Sequence, residues 1–396
     1  MRRHLIFLLL FILTGSVVRS QESRQAELYL LTCGPGTETY SVYGHSALRI
    51  VIPSSNTDIV YNWGVFDFAT PNFVWKFAKG RLDYSLGAYS YERFLRDYLL
   101  EERWVVSQRL NLDSAAIASI FRLIEENLKP ENISYRYDFY YDNCSTRIRD
   151  IIEKATGENL LYPPDEPGVR PPTFRSLSGA YEKNYPWTKF GIDLLLGAPT
   201  DKKASFREKM FLPIELKDGL SKSLFRTGGK MVPLLSDPSL VVDFPTPSKK
   251  TGIFTSPFFI FSLLLILAVL ISAALRGKKG NAVFDIIIFT VFSLLSLVMI
   301  FFNFFTDHQQ LRWNLNIIWL SPFVILCLVS LLFGMNRTGW FRIVFILASA
   351  FLLLLVVLPQ HINNAAIPLI VILILRSSAR AGYSWNPFAL PYLTQL

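Results

Sequence analysis

From residue 253 onward the sequence is a succession of apolar runs, and no other feature limits the fold so strongly. The runs span 253–275, 283–305, 315–333, 341–358 and 365–375. The first four are long enough to cross a hydrocarbon core of roughly 30 Å as helices. The fifth is short and suits a tilted or partly inserted segment. Backbone groups in hydrocarbon must satisfy their own hydrogen bonds, so helices are the expected form. Before Lys250 charged residues and prolines are spread evenly, and the 51% hydrophobic content averages two unlike halves. The expectation is a water-facing domain at 21–250 and an all-α transmembrane bundle of about five helices at 251–396.

The N-terminus reads as a secretory signal, residues 1–20. Arg2, Arg3 and His4 precede an apolar core from Leu5 to Leu13, and Val18-Arg19-Ser20 is an acceptable cleavage site. Export puts the water-facing domain outside the cytoplasm. Loop charges agree: Arg276, Lys278, Lys279, Arg337 and Arg342, with Arg376 and Arg380 in a C-terminal tail, fall on the cytoplasmic side, against Arg312 outside. The predicted location is the cytoplasmic (inner) membrane, multi-pass. Net charge is +9, but much of it belongs to these loops, and an exported chain is a poor nucleic-acid binder.

One outside loop, NFFTDHQQLRWNLN (303–316), is unusually polar. Interfacial capping with Trp313 as anchor is one reading. A polar rim for a lipid head group, through residues such as Asn303, His308, Asn314 and Asn316, is the other. Asp285 is the one acidic residue within a span, and so few internal charges argue against an ion pathway.

The water-facing half begins with alternating ELYLL, a strand, followed by the Cys33-Gly34-Pro35-Gly36 turn. Residues 47–52 and 58–68 read as a hairpin closed at Pro53-Ser54-Ser55-Asn56, with His45 at the mouth of its first strand. Residues 91–100 and 114–128 have helical spacing, 135–141 is aromatic and extended, and 206–225 contains a helix that completes the core. Asp142 and Asn143 are good N-caps for a helix starting at Cys144 and stopping at Gly157.

A thiol in the first turn of a helix meets the positive end of the helix dipole, which favours the thiolate, and free N–H groups there can hold an oxyanion. Such a nucleophile needs a base, and His45 is the only histidine of this domain. The base needs an orienting carbonyl or carboxylate. Asn62 on the returning strand fits best and Asp67 is second. Against this stands the reading of a buried cysteine and a structural histidine. Three cysteines suggest no disulfide framework, although export permits one Cys33–Cys144 bridge, and Cys327 sits in a span. No spacing suits a metal and no phosphate loop occurs, so no cofactor is expected.

The motifs Tyr43-Gly44-His45-Ser46-Ala47-Leu48-Arg49 and Tyr141-Asp142-Asn143-Cys144-Ser145-Thr146-Arg147 resemble those of the Lnb N-terminal periplasmic domain family. Gly191-Ile192-Asp193-Leu194-Leu195-Leu196-Gly197, Met210-Phe211-Leu212-Pro213 and Asn314-Leu315-Asn316 with Trp319 and Pro322 are similar too. The resemblance implies an α+β papain-like domain of permuted NlpC/P60 type, in a group whose members cleave peptide bonds or move acyl chains through a cysteine thioester. It implies Cys144 as nucleophile and His45 as base; Asn62 rests on the strand argument alone. The family name implies transfer of an acyl chain from a lipid glycerol ester to the N-terminal cysteine of lipoproteins, with membrane lipids and lipoprotein N-termini as partners. Two other classes stay open: a membrane-anchored cysteine peptidase or amidase acting on cell-wall peptides, and a non-catalytic binding or assembly protein.

Overall fold

A computed structural model describes residues 26–164, 168–247, 252–275 and 280–383. The expected signal at 1–20, the pair Lys249-Lys250 and the loop charges Arg276, Lys278 and Lys279 lie outside the described residues. The chain forms two compact units, one of residues up to 181 with 203–248, the other of 182–202 with 249 onward. A single boundary near 250 therefore misses an excursion: residues 182–202 fold with the C-terminal unit.

The first unit is mixed α/β. In chain order it contains β1 (Glu27–Cys33), β2 (His45–Ile52), β3 (Thr57–Val65), α1 (Phe73–Ala78), β4 (Asp83–Ser90), α2 (Tyr91–Leu100) and β5 (Val105–Arg109). Then come α3 (Ser114–Asn127), β6 (Ser134–Arg136), α4 (Cys144–Thr156), β7 (Leu160–Leu161) and α5 (Phe174–Glu182). After α6 (Pro186–Leu195), which belongs to the second unit, follow α7 (Phe206–Lys209), α8 (Pro213–Ser221), β8 (Leu224–Thr227), β9 (Lys230–Pro233) and β10 (Ser239–Val242). Seven strands pair antiparallel in the order β10-β5-β1-β2-β3-β4-β6, and β7, β8 and β9 form a small second sheet.

The period-two pattern of β1 explains why both faces of the sheet are covered. Leu28 and Leu30 join the larger core with Ile120 and Ile124 of α3 and Ile148 and Ile152 of α4, whereas Leu31 and Cys33 join Phe94 and Tyr98 of α2 on the opposite face. Burying a side chain of this size contributes roughly 1.5–3 kcal/mol. Trp63 is fully buried, and its indole N–H donates to Asn127 Oδ1 at 2.7 Å, pinning β3 to the end of α3.

Several sequence-drawn elements end early. β3 stops at Val65, so Asp67 and Phe68 stand in the following turn. Only Ser134–Arg136 of the aromatic stretch is strand. The helix expected within 206–225 is α8, which starts at Pro213, whose ring fits the first turn of a helix but not the interior of a longer one; α7 stays separate from it and Leu224 opens a strand. Leu212, Leu216 and Leu220 are buried, as the core reading requires.

The second unit contains α6 with α9 (Pro257–Ala274), α10 (Gly280–Phe304), α11 (Asn316–Trp319), α12 (Phe323–Leu332), α13 (Thr338–Leu354) and α14 (Ala366–Arg380). Among the described residues α9 and α10 are long and apolar enough to cross a membrane. The third apolar run is interrupted between α11 and α12 at Ser321-Pro322. Arg376 and Arg380 lie on α14 rather than in a tail, and both pair with the buried Asp285 of α10. Arg376 also donates to Ser272 of α9 and to Asn281, so a charge taken out of water is compensated by several hydrogen bonds.

The polar loop at 303–316 has a defined task. Helix α6 ends at Leu195, where its last carbonyls lack intrahelical partners. Asn314 Nδ2 donates to the Leu194 and Leu195 carbonyls, each at 2.8 Å, Asn316 Nδ2 to Leu194 at 3.1 Å and Gln360 Nε2 to Leu196 at 3.1 Å. Gly197 approaches so closely that a Cβ would collide with the Arg312 carbonyl. Asn314 and Asn316 are thus buried and spent on α6, which favours capping over a lipid-binding rim for these two residues; Trp313 is exposed, as an interfacial anchor would be. Replacing Asn314 by Ala removes one of two donors to the Leu194 carbonyl and leaves the Leu195 carbonyl unsatisfied, at about 1–3 kcal/mol. We expect Asn314→Ala in the full chain to expose residues 182–202 to limited proteolysis, and Asn314→Asp, which has no donor for these carbonyls, to do the same. Wild-type protection in both variants would contradict the clamp.

Candidate active site

Helix α4 is fixed at its first turn by one side chain. Asn143 Oδ1 accepts from the Ser145 and Thr146 backbone N–H groups, both at 2.9 Å, and Thr146 Oγ1 accepts from the Asn143 N–H at 2.7 Å. The amide also donates to the Phe139 carbonyl at 2.6 Å and the Phe211 carbonyl at 2.9 Å. Tyr140, Phe174 and Phe211 pack against one another in tilted and edge-on pairs. Asp142, the other expected cap, instead forms a two-pronged pair with Arg147. Cys144 follows as the first residue of α4, only 6% exposed.

The β2–β3 hairpin brings up the partner groups. Gly44 has φ +81°, and a Cβ there would sit 2.6 Å from the Cys33 carbonyl, so only glycine lets the chain enter β2 with His45 at its first position. The register pairs Leu48 with Tyr61, which sets Asn62 opposite Ala47 and diagonal to His45. His45 Nε2 lies 2.7 Å from Asn62 Oδ1. A carbonyl oxygen only accepts, so Nε2 carries the hydrogen and Nδ1 is left for the thiol. Cys144 and His45 are close enough for each to shift the other's ionisation. The structure therefore joins Cys144, His45 and Asn62 in one line. Asp67 is not part of it: exposed in the turn after β3, it accepts from the Ala69 N–H.

Burial alone pushes the Cys144 thiol up. The charge of His45, the hydrogen bond to its ring, the Ser46 backbone N–H and the Ser145 hydroxyl outweigh burial and hold the thiol below its ordinary value of 9.0. For His45 burial works against the charged ring, but the Cys144 thiolate and the hydrogen bonds to Cys144 and Asn62 raise it above 6.5, with Arg103 opposing. Thiolate and imidazolium stabilise each other. The other cysteine of this unit behaves differently: Cys33 is free, faces the α2 side, and burial pushes it up to about 12. Cys144 is free as well, so the bridge that export permits is not formed.

Two features escaped the sequence reading. The Ser145 N–H, expected to help hold an oxyanion, is consumed by Asn143; the Cys144 N–H, at the first helical position, has no intrahelical acceptor. Ser46 and Ser145 also matter: their hydroxyls are 3.1 Å apart and fully buried, and Ser145 Oγ stands 3.9 Å from the sulfur. Their only sequence signal was position, each directly following His45 or Cys144.

The family comparison bears on both units. The model of the Lnb N-terminal periplasmic domain matches residues 17–178, and that of the Lnb transmembrane domain matches residues 248–383. The chain belongs to the Lnb family. It is a membrane protein with a periplasmic N-terminal domain. No curated protein and no solved structure matches it. The His45 and Cys144 motifs of this Lnb family member both fall inside the first match.

Alkylation separates the activated thiol from a merely buried one. As pH rises, the iodoacetamide reaction at Cys144 should reach half its maximal rate at a pH below 9. In His45→Ala, where burial is no longer opposed by the ring, the midpoint should move above 9, with Asn62→Ala between the two. Identical midpoints in wild type and His45→Ala would refute the coupling.

Proposed function

We propose that this chain is a membrane-bound thiol acyltransferase that moves an acyl chain from a lipid glycerol ester to an amine, the N-terminal cysteine of lipoproteins. The supporting observation is the capped Cys144 thiol paired with His45, itself held by Asn62. The lipoprotein connection is what the resemblance of the His45 and Cys144 motifs to the Lnb family implies. The order of the residues, histidine strand before cysteine helix, and the antiparallel sheet against that helix support a papain-like domain of permuted NlpC/P60 type. The proposed location is the cytoplasmic (inner) membrane, crossed several times by the C-terminal unit in a bundle of about five helices, with the periplasmic domain on the outer side.

The Cys144 thiolate attacks the ester carbonyl carbon. The oxygen that gains charge meets the Cys144 N–H. As the tetrahedral intermediate collapses, the imidazolium of His45 passes its proton to the glycerol oxygen, which leaves as an alcohol. The acyl group now sits on sulfur as a thioester. An amine attacks this carbonyl while the neutral imidazole accepts one of its protons. The amide departs and the thiolate–imidazolium pair is restored. The ester supplies the driving force, so no nucleotide is consumed. Asn62 acts on the ring alone, fixing its tautomer and plane.

Mass spectrometry of lipoprotein N-termini provides the test. Cells with the wild-type chain should carry N-acylated N-terminal cysteines, and cells with Cys144→Ala free amines. Unchanged acyl patterns would defeat the proposal, and altered cell-wall peptides in their place would point to the peptidase or amidase class.

A further inference from the structure

The turn after β3 and the short helix α1 carry a surface that the proposed chemistry does not use. In the stretch 66–79, Phe68 is 66% exposed, Val74 77%, Trp75 57% and Phe77 53%. Tyr40, from the loop ahead of His45, adds its ring edge-on against Phe66 and Phe68 at 6.3 and 6.4 Å. Helix α1 is FVWKFA, six residues, too short to bury a face by itself. So many large apolar side chains at one place are not what a water-facing domain leaves exposed without use.

The chemistry around the patch identifies its occupant. Tryptophan and phenylalanine mixed with lysine is the composition that settles at the boundary between lipid head groups and acyl chains. Lys76 and Lys79 lie in or next to α1, and Lys79 Nζ stands 5.2 Å from the Trp75 ring centre; Arg81 follows. The nearby carboxylates are engaged: Asp67 accepts from the Ala69 N–H and Asp83 pairs with Arg136 at 3.3 Å. Basic side chains therefore dominate the rim and suit phosphate groups. The same chain carries the transmembrane unit, so a bilayer is always present at high effective concentration.

The patch is also continuous with the thiol. Phe68 packs on Phe66 at 4.9 Å, Phe66 on Tyr84 at 5.3 Å, and Tyr84 stacks on Tyr137 at 4.5 Å. Tyr137 lies against Gly64, two residues beyond Asn62, and feels the charge of Cys144, which together with burial raises its hydroxyl well above the usual value. We propose that the surface formed by Tyr40, Phe68, Val74, Trp75 and Phe77 docks the periplasmic domain into the outer leaflet of the bilayer, and that the aromatic row from Phe68 to Tyr137 guides an acyl chain from that leaflet to Cys144. The guiding role rests on the acyltransferase reading; the docking does not.

The experiment uses the full chain, reconstituted into phosphatidylcholine–phosphatidylglycerol vesicles with brominated acyl chains. Trp75 emission is taken as the difference between Cys144→Ala and Cys144→Ala/Trp75→Phe, so no turnover is needed. Bromolipid should quench this component and aqueous acrylamide should not. Quenching by acrylamide alone, or shielding from both by a second copy or another protein, would overturn the docking. In the active chain, Phe66→Ser/Phe68→Ser, at the leaflet end of the row, should slow transfer from a bilayer-held donor about 10-fold while leaving a short-chain, water-soluble ester unaffected. An equal loss with both donors would overturn the guiding role while leaving the docking to the quenching result.

Discussion

The Asn143 side chain is the constraint on which the periplasmic domain depends. It caps α4, fixes the first turn that presents Cys144, and ties that turn to the Phe139 and Phe211 carbonyls. A cysteine left on an uncapped, fraying turn could not be held against an imidazole. Aspartate would serve equally as a cap but has no donors for the two carbonyls, so this position needs an amide. The same cap decides which backbone group is open to chemistry: it takes the Ser145 N–H and leaves that of Cys144.

Burial and charge then act against each other at the site. A thiol this deep would ordinarily be hard to ionise, as Cys33 is where it packs with Phe94 and Tyr98. Cys144 differs because an imidazole, a backbone N–H and a hydroxyl all favour its charged form. A buried ion pair is costly to assemble, and the hydrogen bond from His45 to Asn62 offsets part of that cost. The second unit follows the same rule with different groups. Asn314, Asn316 and Gln360 satisfy the end of α6, and Arg376 and Arg380 answer Asp285.

Much of this was legible in the sequence where the signal was local. The capped start at Cys144, the stop at Gly157, the hairpin carrying His45 and Asn62 and the apolar runs each depend on residues close in sequence. What stayed hidden depends on partners far along the chain. Strand β5 lies inside the sheet, second from one edge, yet is short, and its residues VVSQR give a weak alternation. The joining of residues 182–202 to the C-terminal unit is made by amides more than 100 residues away, which no local pattern announces. Loop asparagines at 314 and 316 looked like a rim for a ligand because polarity alone does not distinguish a group offered to solvent from one offered to a carbonyl. The helix within 206–225 was legible but its bounds were not, since apolar spacing continues on both sides of the segment that Pro213 opens.

The central claim is that Cys144 carries the acyl group between donor and acceptor. Intact-mass analysis of the full chain, incubated with phospholipid bearing an isotopically labelled acyl chain and no amine acceptor, tests it most directly. The account predicts one added acyl mass on Cys144, removed by neutral hydroxylamine as a thioester is, absent from Cys144→Ala and greatly reduced in His45→Ala. An unmodified wild-type chain, or an adduct that survives the loss of Cys144, would contradict it.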